Sequence, residues 1–245
     1  DPAASVIWPL SIAVAAIILF IAFLLSQRTK AHPLLPLTIF KTPNLSAGNL
    51  VIGMLAAAWI PLWFFLNLYL QQTLQYSAFN SGLALLPMTI TIMVLMVGFT
   101  GKFVQRFGYK ANLVAGLMFL TASLIVFGFV PVEGSFLLNV LPASVMGAIG
   151  MSLAYIPGTM AAMSGAKPQE TGLASGIVNT SYQIGSALGL AVVVVIAGTL
   201  TRSMMNYGSD QGVALTAGFR IAFISAAIVS GAGALLAIFR IKQFR

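Results

Sequence analysis

Long apolar runs separated by short polar connections dominate the chain. A bilayer core about 30 Å thick is crossed by about 20 residues of α-helix, and seven runs reach roughly that length. Four prolines inside them predict kinks rather than breaks, because neighbouring helices satisfy the freed backbone groups: Pro61, Pro87, Pro142 and Pro157. The pattern predicts an all-α integral membrane protein with seven transmembrane helices, at residues 6–25, 47–70, 81–99, 111–130, 136–160, 172–199 and 217–239.

The composition supports a membrane protein and argues against an enzyme. Of the 245 residues 59% are hydrophobic and 7% charged, whereas about a quarter of a soluble domain is charged. Without cysteines the chain has no disulfide or thiolate metal site. One histidine and four scattered carboxylates supply neither a metal cage nor a Ser/His/Asp triad: Asp1, Glu133, Glu170 and Asp210. We therefore expect no catalytic residues, no bound metal and no cofactor.

The twelve cations indicate orientation before they indicate a partner. Read through alternate connections, ten of them fall on one side of the membrane: Arg28, Lys30, Lys41, Lys102, Arg106, Lys110, Lys167, Arg240, Lys242 and Arg245. The other side receives Arg202 and Arg220 alone. Since cytoplasmic connections are enriched in Lys and Arg, the amino terminus is predicted outside and the carboxyl terminus in the cytoplasm. The net charge of +8 thus follows from topology, and we expect the lipid bilayer, not nucleic acid, as its partner.

The chain divides into three predicted parts. Residues 1–31 form a separate transmembrane helix, and because DPAAS has neither a Met nor a basic region before that helix, we expect a longer protein. Residues 32–46 form a basic cytoplasmic connection whose apolar residues favour a short interfacial helix: Leu34, Leu35, Leu37, Ile39 and Phe40. Residues 47–245 form a six-helix domain, whose two triplets in opposite topology are typical of secondary transporters.

The segment GKFVQRFGYK, residues 101–110, has cations at Lys102, Arg106 and Lys110, with Gly101 and Gly108 framing Arg106. It resembles the G-x-L-a-D-r-x-G-r-k signature of the major facilitator superfamily, which lies between the second and third helices of each six-helix half. HPLLPLTIFKTPNLSAGNL (32–50) and KPQETGLASGIVNTSYQIGSALGLA (167–191) are similar to segments of fourteen-span EmrB/QacA-type drug:proton antiporters.

The resemblance implies an architecture and a function. Residues 47–245 would be the carboxyl-terminal half of an exporter of drugs or other lipophilic small molecules in a bacterial inner membrane. The first helix would be the second of two that separate the halves in that branch, and the partner would be the amino-terminal half. Alternating access would be coupled to proton influx, and since no carboxylate lies within a predicted span, the proton site is expected in the missing half.

The chain departs from the signature at Gln105, where the family has an acid implicated in closing the cytoplasmic side. An acid there would interact with a facing helix end, and Gln supplies a dipole in place of a charge. We therefore expect a weaker gate, formed by Gly101, Gln105, Arg106, Gly108 and Lys110, with a tight turn that requires the glycines. For Lys102 the positive-inside rule is a sufficient explanation.

Neutral polar and aromatic residues inside the helices are the candidates for a substrate cavity. They follow helical spacing on several spans: Trp59, Trp63, Asn67, Met88, Asn139, Met146, Tyr155, Asn179, Tyr182 and Gln183. Aromatic faces and adaptable methionines suit varied lipophilic cations or neutral molecules. The alternative is ordinary packing for Trp59 and the methionines and an interface belt for Tyr69. Gly172, Gly176, Gly185 and Gly189 are predicted to allow close helix packing.

Two other functions compete with drug export. An exporter of a specific metabolite, antibiotic or siderophore would have the same sequence features. Seven spans with an external amino terminus also describe receptors and retinal proteins. Retinal binding needs a lysine inside the last helix, which has only Arg220 and Arg240 near its ends, and the Gly-framed basic connection argues against a receptor.

Overall fold

The computed structural model describes residues 2–29 and 36–243, and in these residues all regular structure is helical. The chain divides into two compact units, Asp1–Thr42 and Pro43–Arg245. The first contains helix α1 (Pro2–Thr29) and a 3₁₀ helix, Leu37–Lys41. The predicted interfacial helix is therefore present as one short turn that includes Ile39 and Phe40. Leu34 and Leu35 lie outside the described residues.

The second unit is a bundle of six long helices. They are α2 (Leu45–Leu68), α3 (Ala78–Gly98), α4 (Thr100–Phe127), α5 (Leu141–Met163), α6 (Thr171–Asn206) and α7 (Gln211–Arg240). A π-helical turn, Tyr69–Thr73, continues α2, another, Phe136–Val140, leads into α5, and a 3₁₀ turn, Pro168–Glu170, precedes α6. Each of the six helices is long and apolar enough to cross a membrane. The chain is thus a multi-pass membrane protein, and the predicted fold class is confirmed.

The seventh span stays a prediction. Helix α1 is continuous over the predicted first span, but its apolar part in the described residues is Val14–Gln27, which is shorter than a membrane-crossing helix.

The prolines within α2, α3 and α5 do not break these helices, as expected, since Pro61, Pro87 and Pro157 interrupt none of them. Pro142 lies at the start of α5, directly after the π-helical turn Phe136–Val140, and it does not interrupt the continuous helix Phe136–Met163.

Small residues bring the central helices into backbone contact. A Cβ on Gly116 of α4 would lie 2.5 Å from the Ala154 nitrogen of α5, and one on Gly150 would lie 2.6 Å from the Leu120 nitrogen. In a membrane, helices associate through such close van der Waals packing because lipid gives no hydrophobic drive between them. The core is formed mainly by α2, α4, α5 and α7, with fully buried leucines such as Leu55 on α2.

Two helices lie mostly outside this core. In the most apolar stretch of each helix, 17% of residues are buried in α3 and 11% in α6, whereas the other four helices have between 44% and 61%. Helices α3 and α6 therefore present most of their surface outward, and α6 has polar residues such as Asn179 and Gln183 on that surface.

The GKFVQRFGYK segment is mainly helical, which corrects the prediction of a connection there. Helix α4 begins at Thr100 and is interrupted only at Gly108, with φ 78° and ψ 164°. That conformation is essentially restricted to glycine. Gly101 has no positive φ and lies in the first helical turn, where a Cβ would meet nothing within 4 Å. The tight turn is therefore at Gly108 alone, and the expectation for Gly101 was wrong.

Hydrogen bonds define the two ends of the bundle. At one end Asn44, before α2, binds Ser164 after α5 and Lys242 after α7. We call this the basic end, since Lys102, Arg106, Lys110, Lys167, Arg240 and Lys242 lie near the helix termini there. At the far end Tyr69 donates to the Pro131 carbonyl at 2.8 Å, and Arg220 Nε donates to the Val130 carbonyl at 2.7 Å. Tyr69 is fully buried, so it is not the interface-belt residue that its position predicted.

Candidate functional site

Trp59, Trp63 and Asn67 follow one another at four-residue intervals on α2. Along the helix toward the far end, these side chains turn gradually away from the core. Trp59 is only 6% exposed, whereas Trp63 and Asn67 are half-buried. A four-residue spacing on a helix of 3.6 residues per turn rotates about 40° at each step, which explains the drift. The two indoles meet edge to face, 6.2 Å between centroids and 72° between planes. Trp59 is thus a core residue that supports Trp63, which corrects its assignment to a cavity.

A cavity of about 430 Å³ lies beside Trp63. Its lining comes from α2, the π-helical turn that continues it and one residue of α6: Ile60, Trp63, Phe64, Asn67, Leu68, Gln71 and Leu190. The Gln71 amide donates a hydrogen bond to Asn67 Oδ1, so two amides stand together at one edge of an otherwise apolar and aromatic wall. We call this space the tryptophan cavity. It suits a flat or branched apolar molecule with a hydrogen-bonding group at one end.

A second aromatic pair joins α5 to α6. Tyr155 and Tyr182 meet edge to face with centroids 5.4 Å apart and an interplanar angle of 80°. Asn179 and Gln183 lie beside Tyr182 on the exposed surface of α6. This tyrosine pair offers a polar and aromatic surface on the outward side of the bundle.

The two groups lie at different depths. Helices α2 and α6 run in the same direction, because Gly185 faces Gly53 and Gly189 faces Ala57. Tyr182 therefore stands level with about residue 50 of α2, thirteen residues before Trp63. Thirteen helical residues rise about 20 Å. The structure thus separates the predicted cavity residues into the tryptophan cavity toward the far end and the tyrosine pair toward the basic end.

Three other predicted cavity residues have different environments. Met88 is fully buried in the core, and Asn139 Oδ1 accepts a hydrogen bond from the Ser135 nitrogen at 2.8 Å at the start of the π-helical turn before α5. The assignment of Met88 to a cavity was therefore wrong, since its side chain packs in the core, and the assignment of Asn139 stays a prediction. Met146 is half-buried on α5.

The glycines of α6 also divide into two pairs. A Cβ on Gly185 would collide with the Gly53 backbone, and one on Gly189 would collide with Ala57, so this pair brings α6 against α2. At Gly172 and Gly176 a Cβ would meet nothing within 4 Å. Within the described residues these two glycines do not pack closely, contrary to the expectation.

The segment after α7 folds over the break at Gly108. A Cβ on Gly108 would lie between 2.5 and 2.9 Å from three atoms of the Gln243 side chain. Gln243 Oε1 accepts from the Lys110 nitrogen at 3.0 Å, and Lys110 Nζ donates to the Ile238 carbonyl at 2.8 Å. Tyr109 donates through its hydroxyl to the Lys242 carbonyl at 2.7 Å. We call these contacts, together with Asn44, the basic-end clasp.

The expected gating residues take different parts in this arrangement. Gly108 and Lys110 belong to the clasp, but Gln105 and Arg106 are exposed. The Arg106 guanidinium lies 5.3 Å from the centroid of the Phe107 ring. The Gln105 side chain makes no hydrogen bond to the described part of the chain. Sequence reasoning missed Asn44 and Gln243, whose partners are 198 and 133 residues away. An asparagine directly before an apolar run was the only available signal, and it indicates a helix cap, not a long-range contact.

No group of three metal-binding side chains occurs among residues 2–29 and 36–243.

The family model of the Major Facilitator Superfamily matches residues 3–190. The chain belongs to this family.

Several export and resistance proteins are similar to the chain over most of its length. The cephamycin export protein CmcT of Amycolatopsis lactamdurans is 30% identical over 81% of the chain and 40% of its own length. The lincomycin resistance protein LmrB of Listeria monocytogenes is 30% identical over 89% of the chain and 47% of its own. The tetracenomycin C resistance and export protein of Streptomyces glaucescens is 30% identical over 74% and 34%. The chain thus spans less than half the length of these relatives.

Proposed function

We propose that the chain is the carboxyl-terminal half of a secondary active exporter of antibiotics or other lipophilic small molecules. The observation that supports this most directly is the outward surface of α3 and α6, which are 17% and 11% buried. Polar groups on a lipid-facing helix are costly, and α6 has Asn179 and Gln183 on that surface. An amino-terminal half packed against α3 and α6 would remove these amides from lipid. The shorter length of the chain relative to CmcT and LmrB agrees with this proposal.

The mechanism we propose is alternating access between the two halves. The tryptophan cavity and the tyrosine pair, about 20 Å apart in depth, would contact the substrate at successive stages between the basic end and the far end. The basic end would face the cytoplasm, since it collects most of the cations. The membrane would be the bacterial cytoplasmic membrane, with a cytoplasmic carboxyl terminus.

Proton coupling is proposed to depend on the other half. Among the described residues the carboxylates are Glu133, Glu170 and Asp210, which lie in connections or at helix ends. A group that exchanges protons during transport is expected within the membrane, where the low dielectric tunes its affinity for protons. This chain would then supply substrate contacts and the gate at its basic end. In a fourteen-span arrangement, α1 would be the second of the two helices between the halves.

The substrate is proposed to be lipophilic and largely uncharged or cationic. The tryptophan cavity has aromatic and aliphatic walls and no charged lining residue. Relatives named for cephamycin export and tetracenomycin C export also support the alternative, an exporter dedicated to one antibiotic. A narrow substrate range would identify that alternative, and a broad range would identify a multidrug exporter.

The test is efflux from a bacterial strain that lacks its own major exporters. The complete protein containing this chain should lower the accumulation of lincomycin or ethidium, and a protonophore should abolish the difference. Expression of residues 47–245 alone should give no efflux, because the partner half is missing. Efflux by residues 47–245 alone would disprove the two-half mechanism, and accumulation unchanged by the complete protein would disprove export of these compounds.

A further inference from the structure

A second cavity, of about 690 Å³, opens at the far end of the bundle. It lies between the end of α2, the connection after α4 and the start of α7. Four glutamines and one carboxylate line it: Gln71, Gln72, Gln75, Gln211 and Asp210. We call it the glutamine cavity. Its amide-rich lining contrasts with the apolar wall of the tryptophan cavity.

Gln71 lines both cavities. It lies in the π-helical turn Tyr69–Thr73, where the Leu74 nitrogen donates to the Tyr69 carbonyl at 3.0 Å. Such π-turns occur at the carboxyl ends of helices, and the wider turn redirects the side chains there. The turn is held at its start, where the buried Tyr69 hydroxyl binds the Pro131 carbonyl at 2.8 Å. The Gln71 amide, which donates to Asn67 Oδ1, lies at the boundary between an apolar space and a polar one.

We propose that the glutamine cavity is a second substrate subsite, which receives the uncharged hydrogen-bonding end of the exported molecule. The tryptophan cavity would hold the aromatic or aliphatic body of the same molecule, and Gln71 would contact the junction between the two parts. This inference rests on the proposed export function and adds a substrate class to it: molecules with an apolar body and a hydroxyl-bearing or amide-bearing end.

The chemistry of the lining selects that class. Each glutamine side chain has two N–H donors and a carbonyl acceptor. Gln71 and Gln75 each use one donor, on Asn67 Oδ1 and on the Gln72 carbonyl, and the remaining donors and acceptors match hydroxyl, ether and amide groups. The carboxylate of Asp210 disfavours an anionic group. Asp210 Oδ2 also accepts from the Gly212 nitrogen at 2.9 Å and caps α7, whose partial positive charge offsets the carboxylate. The cavity therefore favours neutral polar groups over both anions and simple cations.

The test compares two probes in cells that express the complete protein. Lincomycin has several hydroxyl groups, whereas tetraphenylphosphonium has an apolar aromatic body and no hydrogen-bonding group. In Gln71→Leu and in Gln211→Leu, lincomycin efflux should fall about fivefold to tenfold, as expected for one or two lost hydrogen bonds. Tetraphenylphosphonium efflux should be unchanged in Gln211→Leu, which alters the glutamine cavity but not the tryptophan cavity, and in Gln71→Leu it should fall less than lincomycin efflux does, because Gln71 lines both cavities. Gln169→Leu, an exposed glutamine at the basic end, is the matched control and should export both probes normally.

The outcomes separate this inference from the proposed function. Equal losses of efflux for both probes would mean that Gln71 has only a structural role. Unchanged lincomycin efflux in both variants would show that the glutamine cavity is not a substrate subsite. Either result overturns this inference and leaves the proposed export function unaffected. Gln211 is exposed, so its variant gives an answer even if Gln71→Leu fails to reach the membrane. If the unmodified protein exports neither probe, calorimetry with lincomycin and purified protein decides. Binding weakened by both variants supports the subsite, and binding unaffected by them, or absent, overturns it.

Discussion

Asn44 binds both backbone groups of Lys242. Its Oδ1 accepts from the Lys242 nitrogen at 2.8 Å, and its Nδ2 donates to the Lys242 carbonyl at 2.7 Å. The same Nδ2 also donates to Ser164 Oγ at 2.9 Å. One buried side chain thus joins the start of α2, the end of α5 and the segment after α7. Since Tyr109 binds the same Lys242 carbonyl, α4 is tied to this point as well.

Asn44→Ala should therefore destabilise the bundle more than a typical surface substitution. It leaves the Lys242 nitrogen without its side-chain acceptor, which costs about 1–3 kcal/mol, whereas the Lys242 carbonyl keeps the Tyr109 hydroxyl. Asn44 also has φ 65°, a left-handed conformation that costs alanine about 1–2 kcal/mol more. The apparent melting temperature of the purified protein in detergent should fall clearly.

Asn44→Gly separates the two causes, because glycine removes the side chain but adopts the positive φ without strain. It should lower the melting temperature less than Asn44→Ala does. Equal melting temperatures for the glycine and alanine variants would show that backbone strain at Asn44 contributes nothing. A melting temperature unchanged from the unmodified protein would contradict a structural role for the clasp.

Gly108→Ala should be destabilising for two reasons. The φ of 78° and ψ of 164° lie in a region that costs other residues about 1–3 kcal/mol, and the added Cβ would collide with the Gln243 side chain. Gly101→Ala is the matched control in the same segment, since Gly101 is helical with open space around it. There the melting temperature should be unchanged or slightly raised, because alanine favours helix.

Gln243→Ala combined with Gly108→Ala distinguishes collision from strain. The double variant removes the side chain that the Cβ would meet but keeps the unfavourable φ. Partial recovery of the melting temperature is expected. Full recovery would assign the whole cost to the collision, and a Gly108→Ala protein as stable as Gly101→Ala would contradict the geometry at Gly108.

Gly185→Leu should disturb the packing of α6 on α2. The Cβ alone would collide with Gly53, and larger atoms would push the helices apart, at a cost of about 1–3 kcal/mol. Gly176→Leu is the control on the same helix, because nothing lies within 4 Å of its Cβ position. Melting temperatures of the two purified variants provide the measurement. A Gly185→Leu protein as stable as Gly176→Leu would disprove close contact between α2 and α6.

The spans followed from the sequence because 20-residue apolar runs leave few alternatives to membrane helices. The burial of each side chain could not be predicted from the sequence. A helix places Trp59 and Trp63 on nearly the same face, and only the neighbouring helices decide which one is buried. GKFVQRFGYK was expected to be a connection because its cations and glycines are typical of one. The four-residue spacing of Phe99, Phe103 and Phe107, whose rings stack with centroids 6.3 and 6.5 Å apart, was the helical signal there.

Trp63→Ala and Trp59→Ala should have different effects on the proposed export. Trp59 is buried, and its truncation should cost about 3–5 kcal/mol and reduce the amount of protein in the membrane. Trp63 is half-buried at the tryptophan cavity, so its truncation should change the relative resistance to different substrates at normal expression. Asn67→Ala should have the same kind of effect as Trp63→Ala. Resistance is compared across several antibiotics, after immunoblotting of the membrane fraction has measured expression. An unchanged resistance profile for both Trp63→Ala and Asn67→Ala would show that this face of α2 serves only helix packing.

Gln105→Asp should shift the transporter toward the state that is closed at the basic end. The signature that the segment resembles has an acid at this position, and Gln105 is exposed on α4, open to a helix end of the proposed amino-terminal half. A carboxylate near a helix amino terminus gains about 0.3–1 kcal/mol over a neutral side chain, which corresponds to about a twofold to fivefold change in population. The chain has no cysteine, so Ala166→Cys at the basic end provides a single label position within it.

A membrane-impermeant maleimide should label Ala166→Cys about twofold to fivefold more slowly when Gln105→Asp is present. The rest of the protein must be free of accessible cysteines, and inside-out vesicles present the basic end to the reagent. Gln169→Asp adds the same charge at the same end outside the signature, and we expect it to leave the labelling rate unchanged. Equal rates for the two aspartate variants would attribute any change to net charge. The gate hypothesis is supported only if Gln105→Asp slows labelling and Gln169→Asp does not. That result would mean that Gln105 stabilises the state closed at the basic end less than an acid does.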